Sequence, residues 1–266
     1  MSLPKRIFGA AAPFATVVVL LVGWQIVVVS SSLPSHVLPS PWLVATRFYA
    51  GLVRGDLLTS LYWTLVTAVC GYLIATIVAL AIAGVLSESQ ILDALAYPLF
   101  SGFQAIPKVA MAPLLLIWTG YGIVSEIILV ALIVFFPIFS SALTGFKGID
   151  SRLVDLLRTF NASRWFKFWH LALPAAAGQI FAGLQIAVGF SLIGCVVVEF
   201  LVGTQGIGFL IQDSANHLDT ASGVAAMVLL AFIGASAGLA IRRLRQRLIF
   251  WEPTEGRRLS VARADQ

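Results

Sequence analysis

Six long apolar runs constrain the fold of this chain more than any other feature of its sequence. They lie near residues 10–30, 61–86, 96–119, 123–144, 175–202 and 221–241. A membrane-spanning helix needs roughly 20 mainly apolar residues, and each run supplies about that many. Of the 266 residues, 59% are hydrophobic and only 11% are charged, which is far outside the range of soluble domains. The sequence therefore predicts an all-α, polytopic membrane protein with six transmembrane helices.

The first run, residues 10–30, follows Lys5 and Arg6, as the apolar region of a secretory signal peptide would. However, about twenty apolar residues is too long for that region, and no small-x-small cleavage site is evident. We therefore expect a retained N-terminal helix. The core helices would follow over about residues 61–241, and residues 1–266 would form a single transmembrane domain.

The positive charges predict the orientation, because Lys and Arg accumulate in the cytoplasmic loops of membrane proteins. With both termini cytoplasmic, Arg47 and Arg54 fall outside and Lys108 falls within a span. The other 14 of the 17 Lys and Arg residues lie inside: Lys5, Arg6, Lys147, Arg152, Arg158, Arg164, Lys167, Arg242, Arg243, Arg245, Arg247, Arg257, Arg258 and Arg263. This asymmetry, with a cytoplasmic basic tail over residues 242–266 and attraction to anionic lipid, explains the basic pI. It gives no support to nucleic-acid binding.

Two loops on the expected outer side are longer than a simple turn. Residues 31–60 begin rich in Ser and Pro and then predict an amphipathic helix from Pro41, which suits a first helical position. Residues 203–220 contain three glycines, but their spacing and the lack of a preceding strand exclude a phosphate-binding loop. We expect a tight turn there.

The sequence shows neither the catalytic residues of an enzyme nor the ligands of a metal site. Cys70 and Cys195 lie inside apolar runs, where cysteine commonly behaves as a small hydrophobic residue. His36, His170 and His217 form no ligand cluster with suitable spacing. No G-x-x-x-x-G-K-[ST] nucleotide-binding pattern occurs, and no nucleophile, base and orienting residue gather in one segment. We expect no metal, no cofactor and no enzymatic activity in the chain itself.

The basic segment over residues 145–174 separates the fourth and fifth runs. Apolar residues recur in it at helical spacing, and Asp150 suits the N-cap of that helix. Asn161 follows, where a helix commonly ends in a left-handed residue. The apolar residues form one stripe along the helix, which consists of Leu153, Leu156, Leu157 and Phe160. The polar residues on its other faces include Arg152, Asp155 and Arg158.

A second short helix is predicted directly after this turn, over Arg164 to His170, with Ser163 as its N-cap. Its aromatic residues suit the membrane interface. Pro174 should then begin the fifth span, because a first helical residue needs no N–H partner. The segment would form a compact projection of two short helices.

The same segment resembles a motif of the permease subunits of bacterial binding-protein-dependent ABC importers. That motif has the form E-A-A-x3-G-x9-I-x-L-P. The residues at its spacings here are Asp155, Leu156, Leu157, Asn161, Leu171, Leu173 and Pro174. The resemblance extends over about 200 residues from Thr59. IPKVAMAPLLLIWTGYG (106–122) and GIGFLI (206–211) are especially similar to the aliphatic sulfonate, taurine and nitrate branch.

The resemblance implies a type I ABC importer permease fold in the bacterial inner membrane. It implies a separate ATP-binding cassette ATPase subunit, an external solute-binding protein and a permease homodimer. The helix at 151–160 would then be the coupling helix, which moves with the ATPase pair. The cargo would be a small solute, an anion such as a sulfonate, taurine or nitrate. Helical periodicity alone equally fits a helix that lies flat on anionic lipid.

Polar residues within spans are candidates for a translocation pathway. They are Gln104, Lys108, Gln185 and Glu199. Lys108 lies between Pro107 and Pro113, so we expect a distorted helix there, since such backbone must face protein or a water-filled cavity. For Lys108, pairing with a carbonyl or a partner helix remains an alternative to substrate attraction. For the glutamines, hydrogen bonding between helices is the alternative role.

A second class of function stays open on the sequence alone. A self-sufficient secondary carrier or channel would also be polytopic, but it would be expected to show repeated halves with matching broken helices. We find no convincing internal repeat. An ABC permease for another small solute is the nearer alternative.

Overall fold

The computed structural model describes residues 3–31 and 33–249, and these residues form helices, turns and short loops without a strand. Short 3₁₀ and π segments occupy Lys108–Met111 and Phe168–Ala172. The α-helices are α1 Leu3–Ser31, α2 Pro41–Arg54, α3 Asp56–Ser87, α4 Gln90–Ala105, α5 Ala112–Thr119, α6 Ile123–Lys147, α7 Ser151–Thr159, α8 Arg164–Lys167, α9 Leu173–Val202, α10 Ile207–Asn216 and α11 Thr220–Leu248. The all-α prediction is confirmed.

The core of the bundle lies between α3, α6 and α9. Small residues allow these helices to approach closely, as is common between membrane helices. A Cβ atom on Gly183 of α9 would lie 2.5 Å from the Cβ of Ser141 on α6, so only glycine fits. The buried residues of α3 in this core are Leu86, near the end of the helix, and four alanines: Ala68, Ala75, Ala79 and Ala83.

Four helices are long and apolar enough to cross a membrane: α3, α6, the continuous helix from Arg164 to Val202, and α11. A fifth crossing arises if the bent pair Pro98–Ala105 and Lys108–Thr119 counts as one span. In α1, Leu3–Ser31, the described apolar stretch Ala15–Ser31 has 17 residues, at the short limit of a span. The prediction of six spans is therefore not confirmed by the described part of the chain.

The third predicted span is broken, as the two prolines suggest. Its two halves meet at an angle of 80°. Pro107 at the break has an extended backbone, with φ −64° and ψ 102°. The expected distortion around Lys108 is confirmed.

The bundle has two distinct ends, which we call the loop end and the far end. The loop end contains α7 and α8 together with the last turns of α3 and α6. The far end contains α10, the start of α3 and the start of α11. Helix α2 also lies there, and it begins at Pro41 as predicted, with Ser40 Oγ accepting a hydrogen bond from the N–H of Leu43.

The far end corrects one prediction. Residues 203–220 are more than a tight turn, because they contain the ten-residue helix α10. Ile207 and Ile211, one turn apart on this helix, pack against Leu57 of α3 and Ala226 of α11. Burial of this apolar face stabilises the helix. The glycines around it had indicated a turn instead.

Candidate functional site

Helix α7 begins and ends at the residues that the sequence indicated. Asp150 accepts a hydrogen bond from the backbone N–H of Arg152 at 2.9 Å, which satisfies one of the free donors of the first turn. The helix then runs over Ser151–Thr159. On its surface Arg158 forms an ion pair with Asp155 at 3.2 Å, and both side chains are exposed. Such an exposed pair contributes little to stability.

The apolar stripe of α7 is largely uncovered. The exposed fractions of Leu153, Leu156 and Phe160 are 45%, 53% and 75%, whereas Leu157 is half-buried. No residue of this helix is fully buried. The helix therefore presents one apolar ridge that no described part of the chain covers.

The turn after α7 is rigid. Asn161 has φ 50°, in the left-handed region, as predicted. The N–H of Asn161 donates to the carbonyl of Arg158 at 2.9 Å, and the N–H of Ala162 donates to that of Leu157 at 3.0 Å. This pair of hydrogen bonds is the Schellman arrangement, which fixes the direction of the chain as it leaves a helix.

The second short helix differs from the prediction. Ser163 caps it as expected, with Oγ accepting from the N–H of Phe166 at 3.2 Å. The helix does not stop at His170, however, and Pro174 does not begin a separate span. Helix α8, the π segment Phe168–Ala172 and α9 are continuous, because the wider π turn leaves room for Pro174, which has no N–H to donate.

The loop segment is joined to the bundle at several points. Arg164 forms an ion pair with Glu88, at the end of α3, at 3.6 Å. The ring of Phe168 packs 5.8 Å from that of Phe146 on α6 and lies against Gly84 of α3. The last three motif residues, Leu171, Leu173 and Pro174, are half-buried at this junction. The segment is thus attached to the ends of three core helices.

Two of the four pathway candidates lie together at the break in the third span. The ammonium of Lys108 donates to the carbonyl oxygen of Gln104 at 2.5 Å and lies 4.7 Å from the ring centre of Phe136. The side chain of Gln104 is exposed. Lys108 itself is half-buried. An ammonium and an exposed amide at a break in an apolar span suit a water-filled cavity or a protein partner, and not lipid tails.

The other two candidates lie elsewhere. Gln185 is half-buried on α9. Glu199, also on α9, has no exposed surface, so this structure gives it no contact with an open pathway. Its Oε2 accepts hydrogen bonds from Thr64 Oγ1 at 3.0 Å and from the N–H of Gly208 at 2.8 Å, and its Oε1 accepts from Cys195 Sγ at 3.2 Å.

A second buried carboxylate was missed by the sequence reasoning. Glu126, in the first turn of α6, is only 4% exposed and accepts a hydrogen bond from Thr67 Oγ1 at 3.3 Å. Thr64 and Thr67 lie about one turn apart on α3, so that helix contacts both carboxylates. Within residues 3–31 and 33–249, neither carboxylate forms an ion pair. The sequence feature that could have identified Glu126 is its position as an acidic residue inside an apolar run.

Residues 71–250 match the family described as "Binding-protein-dependent transport system inner membrane component". The chain belongs to this family. The permeases of the family are transport subunits of ABC importers and are not enzymes themselves. Membership implies an ATPase and a solute-binding protein as partners, and it agrees with the long apolar helices of a multi-pass membrane protein. The resemblance drawn from the loop motif is therefore confirmed.

Individual relatives are named for different substrates. The permease is 34% identical over 237 residues to the riboflavin transport system permease RibX of Chloroflexus aurantiacus, covering 89% of this chain and 88% of that protein. It is 27% identical to the putative aliphatic sulfonates permease SsuC of Bacillus subtilis, with 88% and 84% covered. It is also 27% identical to the taurine permease TauC of Escherichia coli, with 89% and 88% covered.

A solved structure supports the fold. An inward-facing form of the MetNI methionine ABC transporter aligns with a TM-score of 0.50 and 20% identity, covering 71% of this chain and 95% of that one. This likeness confirms the type I importer permease fold.

Proposed function

We propose that this permease imports a small solute, an anion such as a sulfonate, taurine or nitrate, and that α7 couples it to the ATPase subunit. The uncovered apolar ridge of α7 carries the proposal. In this arrangement the loop end faces the cytoplasm, both termini are cytoplasmic, and two copies of the permease form the pathway. A periplasmic binding protein delivers the solute at the far end.

The ridge has the properties of a protein contact. Full burial of an exposed large apolar side chain contributes about 1.5–3 kcal/mol. Because Leu153, Leu156 and Phe160 are 45%, 53% and 75% exposed, covering each of them would contribute a corresponding fraction of that free energy to docking. The Schellman turn fixes the ridge relative to the bundle. The charged residues beside the ridge have both signs, because Asp155 is acidic and Arg152 and Arg158 are basic. Such mixed charge suits a groove on a protein better than the uniformly anionic surface of a lipid bilayer.

The anionic substrate class rests on Lys108 and on the substrates for which some relatives are named. Lys108 and Gln104 are polar groups at a break in an apolar span, which is where a pathway through a bundle is expected. SsuC and TauC are named for sulfonates and taurine, whereas RibX is named for riboflavin. We assign the pathway to Gln104, Lys108 and Gln185, and we give Glu199 a different role below.

Coupling is tested in proteoliposomes that contain the permease, its ATPase subunit and its binding protein, with labelled taurine and nitrate as probes. We expect Leu156→Asp to reduce ATP-driven uptake at least tenfold, because it places a charge on the ridge. Ser151→Asp adds the same charge to the exposed first turn of α7, where it favours the helix, and should leave uptake nearly unchanged. Equal uptake by both variants, or uptake that needs no ATP, would contradict the proposal and favour a secondary carrier.

The role of Lys108 is tested in the same vesicles. Lys108→Gln should slow uptake of the anionic probe, and Lys108→Arg should retain most of it because the charge remains. The probe for this comparison is nitrate, which carries a net negative charge. If Lys108→Gln transports nitrate as well as the unmodified permease does, Lys108 does not select anions.

A further inference from the structure

Helix α10 has no N-cap side chain of its own. The residue before it is Gly206, with φ 104°, so the free N–H groups of the first turn need partners from elsewhere. The N–H of Ile207 donates to Thr64 Oγ1 of α3 at 2.8 Å, and that of Gly208 donates to Glu199 Oε2 of α9 at 2.8 Å. Thr64 also donates to Glu199, so two neighbouring helices cap α10 through one closed network.

The contact between α10 and α9 leaves no spare space. A Cβ atom on Gly206 would collide with the carboxyl group of Glu199. A Cβ atom on Gly208 would collide with the carbonyl oxygen of Val196. The G-I-G spacing therefore lets the first turn of α10 reach hydrogen-bond distance of α9.

The rest of α10 forms one wall of a cleft at the far end of the bundle, with a volume of about 360 Å³. One ion pair lies in this far-end cleft, Arg47 with Asp219 at 3.6 Å, and Nδ1 of His217 lies 3.4 Å from a carboxylate oxygen of Asp213. The residues that α10 contributes are Leu210, Asp213 and Ser214, and His217 follows directly after it. A change in the direction of α10 therefore changes the width of the cleft.

We propose that Thr64 and Glu199 are positioning residues that hold α10 to α3 and α9 and thereby set the shape of the far-end cleft. The network is fully buried, so its hydrogen bonds are not exchanged for water, and loss of one partner leaves a buried N–H unsatisfied. Helix α9 continues to the loop end, so the network joins α10 to a helix that reaches the other end of the bundle.

The chain offers a matched control one turn away. Thr67 lies on the same helix, is 1% exposed compared with 0% for Thr64, and also donates to a buried carboxylate. It makes no hydrogen bond to α10. Thr64→Val and Thr67→Val thus remove the same hydroxyl from equivalent surroundings, and only the first removes the acceptor for Ile207.

Hydrogen exchange of the full chain in lipid nanodiscs tests the first step. In Thr64→Val we expect the amides of residues 206–210 to exchange roughly tenfold faster, and in Thr67→Val to change less than twofold. Thr64→Ser, which keeps the hydroxyl, should restore the unmodified rate. Equal effects of the two valine variants, or faster exchange throughout α6 as well, would mean a general loss of stability and would overturn the proposal. If Thr64→Val does not insert stably, Glu199→Ala with Glu126→Ala as its control makes the same comparison.

Spin labels test the shape of the cleft. The labels are placed at Arg54→Cys and His217→Cys, two positions that line the cleft, with Cys70 replaced by serine and the fully buried Cys195 retained. We expect the distance distribution between the labels to shift or broaden in Thr64→Val and to stay unchanged in Thr67→Val. An unchanged distribution in Thr64→Val overturns the proposal.

A transport comparison rests on the proposed function. ATP-driven uptake of labelled taurine and nitrate should fall in Thr64→Val at an equal amount of permease in the vesicles, and recover in Thr64→Ser. Normal uptake in Thr64→Val would show that this positioning does not serve transport. If the unmodified permease itself shows no uptake of either probe, the proposed substrate class fails, and the exchange and label measurements still decide the positioning role.

Discussion

The left-handed turn at Asn161 gives the most direct test of whether α7 is held rigidly. Valine at this position must either keep φ near 50°, which costs about 1–2 kcal/mol for residues other than Gly, Asn and Asp, or open the turn. Opening the turn loses the hydrogen bonds from the N–H groups of Asn161 and Ala162, at about 1 kcal/mol each. Both routes cost about 1–2 kcal/mol. A cost of this size lowers the ratio of the closed turn to the open turn roughly 5- to 30-fold.

The amides of Asn161 and Ala162 report this ratio by hydrogen exchange in nanodiscs. We expect both to exchange roughly 5- to 30-fold faster in Asn161→Val, and to stay within about threefold of the unmodified chain in Asn161→Gly, since glycine adopts this conformation freely. Thr159→Val is the control, because it places the same side chain in the right-handed helix two residues earlier. If Asn161→Val exchanges like the unmodified chain, or Thr159→Val is affected equally, the turn does not hold α7.

Three further predictions concern the bundle itself. Gly183→Val should lower the melting temperature in detergent by several degrees, because overpacking a close helix contact costs about 1–3 kcal/mol, whereas Gly189→Val, which has open space around its Cβ position, should change it little. Tyr72→Phe removes the hydrogen bond of the hydroxyl to the carbonyl of Leu184, and chemical denaturation should show a loss of about 1 kcal/mol. Glu88→Gln breaks an exposed ion pair and should alter the free energy of unfolding by less than about 1 kcal/mol in the same assay; a larger loss would show that this pair is central to loop attachment.

Local features of the sequence predicted local structure well. Asp150 and Ser163 cap the helices assigned to them, and Asn161 takes the left-handed conformation. Each of these depends on a few neighbouring residues whose hydrogen-bonding geometry is the same in any fold. Pro107 and Pro113 likewise indicated a break in the helix, because a proline cannot donate the backbone hydrogen bond that a helix needs.

Features that join distant parts of the chain were not predictable in the same way. Thr64, Glu199 and Ile207 meet through hydrogen bonds across 135 and 143 residues, and no local pattern says which helices touch. The continuation of the helix through Pro174 was missed because a π turn has no sequence signature as clear as a cap. Helix α10 did have a signal in the spacing of Ile207, Leu210 and Ile211, but the nearby glycines indicated a turn.

The uninterrupted helix from Arg164 to Val202 has a mechanical consequence. Its 39 residues measure about 58 Å at 1.5 Å per residue, nearly twice the roughly 30 Å thickness of a hydrocarbon core. A rod of this length amplifies small rotations, so a tilt of about 5° about one end displaces the other by about 5 Å. A rotation of a few degrees at the loop end would therefore move the far end of this helix, where Glu199 accepts a hydrogen bond from α10, by several ångströms.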